Sequence, residues 1–264
     1  MPYTKRDGLN LYFEQEGSGD PPLVFVHGWC CNHDFFQPQF DYFKTSYKVT
    51  TLDLRGCGSS DQPDGGYDIP TLADDVAGLC HELQLSTPII IGHSLGGMIA
   101  IEMAARYPSL AKAVVADDPG AIDPLPSALS FYEGLATQIE GPDGDTVRRS
   151  YIEQMLLTNN DATQKRWIIE TMCSVPRRIA IAVLRGVVAW NGVGAMQLCN
   201  VPVLVLRATT EGSNAPDRLL ALKQDIHIGV TVGAGHFHQL EVPEQVTPMI
   251  AKFIQMVKIS PQSG

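Results

Sequence analysis

Ser94 stands at the centre of Gly92-His93-Ser94-Leu95-Gly96-Gly97. A serine hydroxyl is a poor nucleophile near neutral pH. It attacks a carbonyl only when a base takes its proton, and that base needs an orienting acid. Residues 87–91 are a short apolar run that predicts a buried strand, and residues 98–107 predict a helix. The serine between them therefore falls on a sharp strand-to-helix turn with unfavourable backbone angles. Gly92 and Gly96 leave the room such a turn requires. The turn lifts the hydroxyl above the sheet and sets it at a helix N-terminus, where developing negative charge is favoured. A Gly-rich turn alone would explain the glycines, so the weight rests on whether partners exist elsewhere.

The base is narrowed by position. His236 lies in Gly233-Ala234-Gly235-His236-Phe237, after the last predicted strand. That places it at the C-terminal edge of the sheet, where ligands bind in open α/β folds. His238 is the competitor but lacks flanking glycines. His227 falls within a strand and His81 late in a helix, so both read as structural or solvated. Two carboxylates qualify as the acid. Glu211 stands in the loop after the strand ending at Leu206, and Asp118 follows the strand before that one. Both preserve the chain order serine, acid, histidine, and the residues leave both open. The backbone amides of Trp29, after His27-Gly28, and of Leu95 are the candidate oxyanion donors. His-x-x-x-His and other ligand spacings are missing, so neither metal nor organic cofactor is expected.

These residues need a scaffold. Leu9, Leu11 and Phe13 alternate with polar residues as a half-buried strand does. The continuous apolar run at residues 23–26 predicts a strand covered on both faces, and further strands are predicted at 47–54, 113–116, 203–206 and 226–230. Phe36, Phe40 and Phe43 sit at helical spacing; Leu72, Val76, Leu79 and Leu83 form another helical stripe, and Val246, Ile250, Phe253 and Val257 a last one. Strands alternating with helices give a mainly parallel sheet flanked by helices, an α/β fold. One segment breaks the alternation. Residues 121–198 carry helical stretches at 127–139, 146–157, 162–173 and 177–190, and read as a helical cap inserted into a core made of 1–120 and 199–264. Its aromatics and methionines include Phe131, Tyr132, Tyr151, Met155, Trp167, Met172 and Trp190. Of these Tyr132, Met155 and Trp190, with His93 from the serine motif, are the pocket candidates, although core packing would explain any one of them alone.

The 264 residues allow one large domain, or a core domain with an insertion. A hydrophobic share of 44% and mixed charges fit a globular chain, and the net charge of −10 argues against nucleic acid or an anionic membrane as partner. The N-terminal residues lack the pattern of a secretory signal. The six cysteines include the adjacent pair Cys30-Cys31 and no Cys-x-x-Cys, and a chain of this size needs no bridges. Free thiols and a cytoplasmic location are expected, with Cys80 in the core.

Taken together, His27-Gly28-Trp29, Asp53-Leu54-Arg55-Gly56-Cys57-Gly58-Ser59, the Ser94 motif and Gly235-His236-Phe237 resemble, in order, the motifs of the α/β-hydrolase fold. The resemblance covers the chain outside the cap. It implies Ser94 as nucleophile, His236 as base and the Trp29 and Leu95 amides as oxyanion donors. It also places the acid in the loop after the seventh strand, where Glu211 stands in place of the usual aspartate; some relatives carry the acid one strand earlier, at the position of Asp118. The acyl-homoserine lactonases of this fold are similar in using a glutamate, at a comparable interval from the serine. The expectation is thus Glu211 as acid with Asp118 as rival, and a serine hydrolase of small carboxylic esters or lactones, with acyl-homoserine lactone as a specific substrate. Carbon–carbon bond hydrolases and cofactor-free perhydrolases share the machinery and stand as alternatives. A ligand receptor retaining the triad is the non-enzyme alternative. Quaternary state is not legible.

Overall fold

The computed structural model describes residues 2–156, 161–209 and 214–259. The chain opens with strands β1 (Tyr3–Arg6), β2 (Leu9–Glu16) and β3 (Leu23–Val26), then helix α1 (Gln37–Phe43), strand β4 (Val49–Leu52) and helix α2 (Ile69–Glu82). Strand β5 (Ile89–His93), helix α3 (Leu95–Arg106) and strand β6 (Ala113–Asp117) follow. Five helices come next: α4 (Pro126–Glu140), α5 (Gly144–Met155), α6 (Ala162–Ser174), α7 (Arg177–Ala189) and α8 (Gly192–Leu198). The chain closes with β7 (Val203–Arg207), α9 (Pro216–Leu222), β8 (His227–Val230), α10 (His238–Glu241) and α11 (Pro243–Ile259).

The strands form one sheet in the order β1-β2-β4-β3-β5-β6-β7-β8. β1 and β2 pair antiparallel, and β2 joins β4 antiparallel; every pairing from β4 to β8 is parallel. The apolar runs explain the layering. Successive strand residues face opposite sides, so Leu23 and Phe25 enter one apolar cluster with Phe40 and Phe43 of α1 and Ile250 and Phe253 of α11. Val24 and Val26 enter the other, with Leu72 and Val76 of α2 and Met98 and Ile101 of α3. Helices therefore cover both faces, and no single helix among the described residues is long and apolar enough to cross a membrane. The six cysteines, Cys80 among them in the core, are separate thiols.

The stretch between β6 and β7 differs from the four helices expected. A fifth, α8, packs on α3, and the second apolar cluster runs unbroken from the sheet into Ile139, Ile152, Ile168 and Leu184 of the inserted helices. Edge strand β1 is also an addition. Its Tyr-Thr-Lys-Arg composition carries no apolar run, and it pairs only with β2.

Candidate active site

All the parallel strands end at one edge, and the residues just beyond those ends converge. Ser94 follows β5 at φ 53° and ψ −113°, a conformation disfavoured for any residue with a Cβ. Two glycines make the turn possible. A Cβ on Gly92 would lie 2.0 Å from the Gly96 carbonyl oxygen, and one on Gly96 would lie 2.0 Å from that of Val26. The backbone is pinned on both sides: the Ser94 N–H donates to Asp117 O at 2.9 Å, and the Gly120 N–H donates to Ser94 O at 3.3 Å.

The Ser94 hydroxyl donates to His236 Nε2 at 2.9 Å, and His236 Nδ1–H donates to Asp118 Oδ2 at 2.7 Å. Asp118 is the first residue past β6, itself at φ 40°, with its N–H held by Leu206 O at 2.9 Å. Its other oxygen accepts from the Ala208 N–H at 3.2 Å and lies 3.5 Å from Arg207 Nε. Burial alone would raise this carboxyl. The hydrogen bond from His236, with the charges of His236, His238 and Arg207, instead holds it well below the usual carboxylate range. The carboxylate that meets His236 is thus the rival of the expectation, and the first choice, Glu211, lies outside the described residues. The reason is geometric. β6 adjoins β5, and the backbone turn after Asp117 carries Asp118 back towards the loop that bears His236.

His238 does not compete for the serine. It is fully buried, forms an ion pair with Asp117 at 2.6 Å and shares a 3.0 Å hydrogen bond with the Thr231 hydroxyl. Burial would lower its pKa, but Asp117 raises it. The two adjacent aspartates thus each hold a histidine of the same loop. His93 is buried beneath the site, where Nε2–H donates to the His236 carbonyl oxygen at 2.7 Å. Burial, then the neighbouring His236, draws its pKa well below the ordinary value, so the ring is neutral.

Gly28 lies where β3 meets this cluster. A Cβ there would sit 3.0 Å from His93 Nδ1 and 3.3 Å from Ser94 Cβ, a tight contact that glycine avoids. His27 holds the turn in place: its Nδ1–H donates to Gly28 O at 2.8 Å, and its Nε2 accepts the Leu54 N–H at 3.0 Å. Leu95 is the first residue of α3, so its amide has no acceptor within the helix. Among the described residues, none of the turn and loop backbone hydrogen bonds uses the Trp29 amide. The Trp29 indole donates to Ala180 O of α7 at 2.9 Å, tying this turn to the inserted helices.

A cavity of about 370 Å³ opens over Ser94, within the range of small-molecule sites. Of the pocket candidates, His93, Tyr132 and Met155 line it. Trp190 does not, which corrects the expectation. It closes α7, and its indole donates to Glu102 of α3 at 2.8 Å, so it anchors the return to the sheet. Trp167 stacks on Phe35 at 4.7 Å between ring centres. Helical spacing identified these aromatics but not which side of each helix turns inward. Tyr151 and Met172, noted among the aromatics and methionines, also line the cavity, as do Met98, Leu184 and Phe237, which the sequence did not single out as pocket residues.

Comparison with known proteins places this geometry in context. A family model described as alpha/beta hydrolase fold matches residues 21–243. The AB hydrolase superfamily protein YisY of Bacillus subtilis is 43% identical over 100 residues, which span 38% of this chain and 37% of that one. The chain thus matches this curated relative over well under two thirds of the relative's length. Among solved structures, a malate-bound thermophilic esterase from Thermogutta terrifontis is 25% identical with a TM-score of 0.81, covering 97% of each chain. Est816, described as an N-acyl homoserine lactone degrading enzyme, is also 25% identical, with a TM-score of 0.79 over 96% of this chain and 100% of its own.

Proposed function

The chain belongs to the α/β-hydrolase family, and from that premise we propose that it is a serine hydrolase of small carboxylic esters or lactones. The observation that carries this reading is the unbroken line from Ser94 Oγ through His236 to Asp118, at 2.9 Å and 2.7 Å. Asp118 accepts from Nδ1–H and so fixes the tautomer that leaves Nε2 unprotonated and facing the serine. His236 Nε2 takes the Ser94 proton as Oγ bonds to the substrate carbonyl carbon. The carbonyl oxygen becomes an oxyanion held by the amides of Trp29 and Leu95. Nε2–H then protonates the leaving alkoxide, which departs and leaves an acyl-Ser94 ester. Water, deprotonated by His236, attacks this ester; the acid is released and the proton returns to Ser94. In a lactone the leaving alcohol stays tethered, and the product is one hydroxy acid. The inserted helices act as a cap that shapes the cavity. No step requires a metal or an organic cofactor.

The narrower reading, hydrolysis of acyl-homoserine lactones, is supported by the likeness to Est816. Asp118 already accepts from His236 Nδ1–H, so this narrower reading draws nothing from Glu211. The test is a panel of nitrophenyl esters of increasing chain length and an acyl-homoserine lactone, with lactone opening read as proton release. Wild type is expected to turn over repeatedly, and Ser94→Ala to lose at least about a thousand-fold in kcat. Sustained turnover by Ser94→Ala would refute the mechanism. A single burst with retained product would favour the receptor reading.

A further inference from the structure

Two phenols in the cavity wall take no part in the proposed mechanism. Tyr132 of α4 and Tyr151 of α5 both line the cavity over Ser94. Their rings are fixed by packing. Phe131 lies 5.6 Å from each, and the Trp29 indole lies 6.0 Å from Tyr151. Neither hydroxyl has a hydrogen-bond partner among the described residues, so each is open to a group that enters the cavity. The other polar side chains of the wall are engaged. Asn214 donates to the Pro119 and Gly120 carbonyls and accepts from the Ile122 N–H, and Arg207 lies against Asp118. The remaining wall near the phenols is apolar, with Met155, Met172, Leu184 and Val187. The phenols are thus hydrogen-bonding groups of the cavity wall that the triad does not engage.

Resting on the serine hydrolase reading, we propose that Tyr132 and Tyr151 are a hydrogen-bonding station for a second, uncharged carbonyl oxygen of the substrate. The preferred substrates are then esters or lactones bearing a ketone or amide carbonyl several atoms from the scissile one, over plain alkyl esters. The chemistry selects this class on three counts. Burial pushes both phenols up, so both remain O–H donors at any pH at which the triad works. The two phenol rings flank Phe131, each 5.6 Å from it, on one wall of the cavity, and a carbonyl oxygen has two lone pairs to accept from both. The negative charge of Asp118 is felt at Tyr132, which disfavours a carboxylate at the station.

The test uses two matched pairs of substrates: nitrophenyl 5-oxohexanoate with nitrophenyl hexanoate, and hexanoyl-homoserine lactone with an α-alkyl-γ-butyrolactone of similar length. Wild type is expected to prefer the member with the extra carbonyl in at least one pair. Tyr132→Phe and Tyr151→Phe should each lower kcat/KM for that member about 3- to 10-fold, mainly through KM, the size of one neutral hydrogen bond. The plain member should lose less, so that the kcat/KM ratio between the two members falls, and the double variant should abolish the preference. Equal losses on both members, or no preference in wild type in either pair, would overturn the station while leaving the hydrolase reading intact. No turnover of any of the four would overturn the hydrolase reading and the station with it.

Discussion

Asp118 holds φ at 40°, a rare backbone angle for an aspartate, and receives hydrogen bonds from His236 and the Ala208 amide. These constraints set the carboxylate against Nδ1 of His236. Asparagine at this position can turn its amide N–H towards Nδ1, which stabilises the opposite tautomer and leaves Nε2 protonated and unable to accept from Ser94. Asp118→Asn is therefore expected to cost on the order of a thousand-fold or more in kcat, with little change in KM, and Glu211→Gln is expected to lose far less. Steady-state kinetics of both variants on one nitrophenyl ester decide the matter, and the reverse ranking would move the acid to Glu211. The residue scale also shows why the sequence left this choice open. Asp118 and Glu211 both follow strand ends at the same sheet edge, and family spacing pointed to the second. What favours Asp118 is the path of one backbone turn, which no local residue pattern encodes. Ser94 and His236 were legible because their chemistry comes with glycines at fixed offsets, whereas the acid has no such signature.

At the scale of elements, the junction between β5 and α3 is the most constrained place in the chain. Gly96 brings the first turn of α3 against the end of β3, where an added Cβ would lie 2.0 Å from the Val26 carbonyl oxygen and 2.8 Å from that of His27. Both obstacles are backbone, so a larger residue must push two neighbouring strands apart. Gly96→Ala is expected to lose about 1–3 kcal/mol of stability, read as a lower midpoint in chemical denaturation together with loss of esterase activity. Gly65→Ala, where a Cβ meets nothing within 4 Å, is the matched control and should leave both unchanged. An unchanged midpoint for Gly96→Ala would show that the junction yields. Most elements could be read in advance for the same physical reason that the junction is tight. Strands covered on both faces must be continuously apolar, so β3, β6 and β7 are visible as runs such as Leu23-Val24-Phe25-Val26. β1 was not, because an edge strand with charged residues has no such requirement. Nor was α8, which has seven residues and only Gly192, Ala195 and Met196 buried. Trp190 was assigned to the pocket because an aromatic at a helix end gives no hint of its bond to Glu102.

Across the whole molecule, the histidines near the sheet edge couple folding to pH. Burial draws His27 and His93 below the ordinary value of 6.5, with His236 adding to the effect at His93. The unfolded chain binds these protons as pH falls through 6.5 while the folded chain does not, so stability declines on the acid side of that value. His238 has the opposite sign. Asp117 raises it against burial, so its contribution is fully present below the unfolded value and is lost as pH rises through the folded one. The three effects are separable by substitution. His93→Gln keeps an N–H donor for the His236 carbonyl but removes the titration, and it should flatten the decline in melting temperature between pH 6.5 and pH 5. Each such group contributes at most about 1.4 kcal/mol per pH unit, or roughly 3–5 °C per unit for a chain of this size. His27→Gln should act in the same direction, through a side-chain oxygen that accepts the Leu54 N–H in place of Nε2. His238→Gln should instead leave the slope below pH 6.5 unchanged and remove the gain in stability that wild type shows as pH falls from 8 towards 6.5, where the folded ring takes up its proton. Melting temperatures of wild type and the three variants from pH 5 to pH 8 give the comparison. If His93→Gln and His27→Gln kept the wild-type slope, the neutral state of these buried rings would not be a source of acid sensitivity, and the carboxylates alone would account for it.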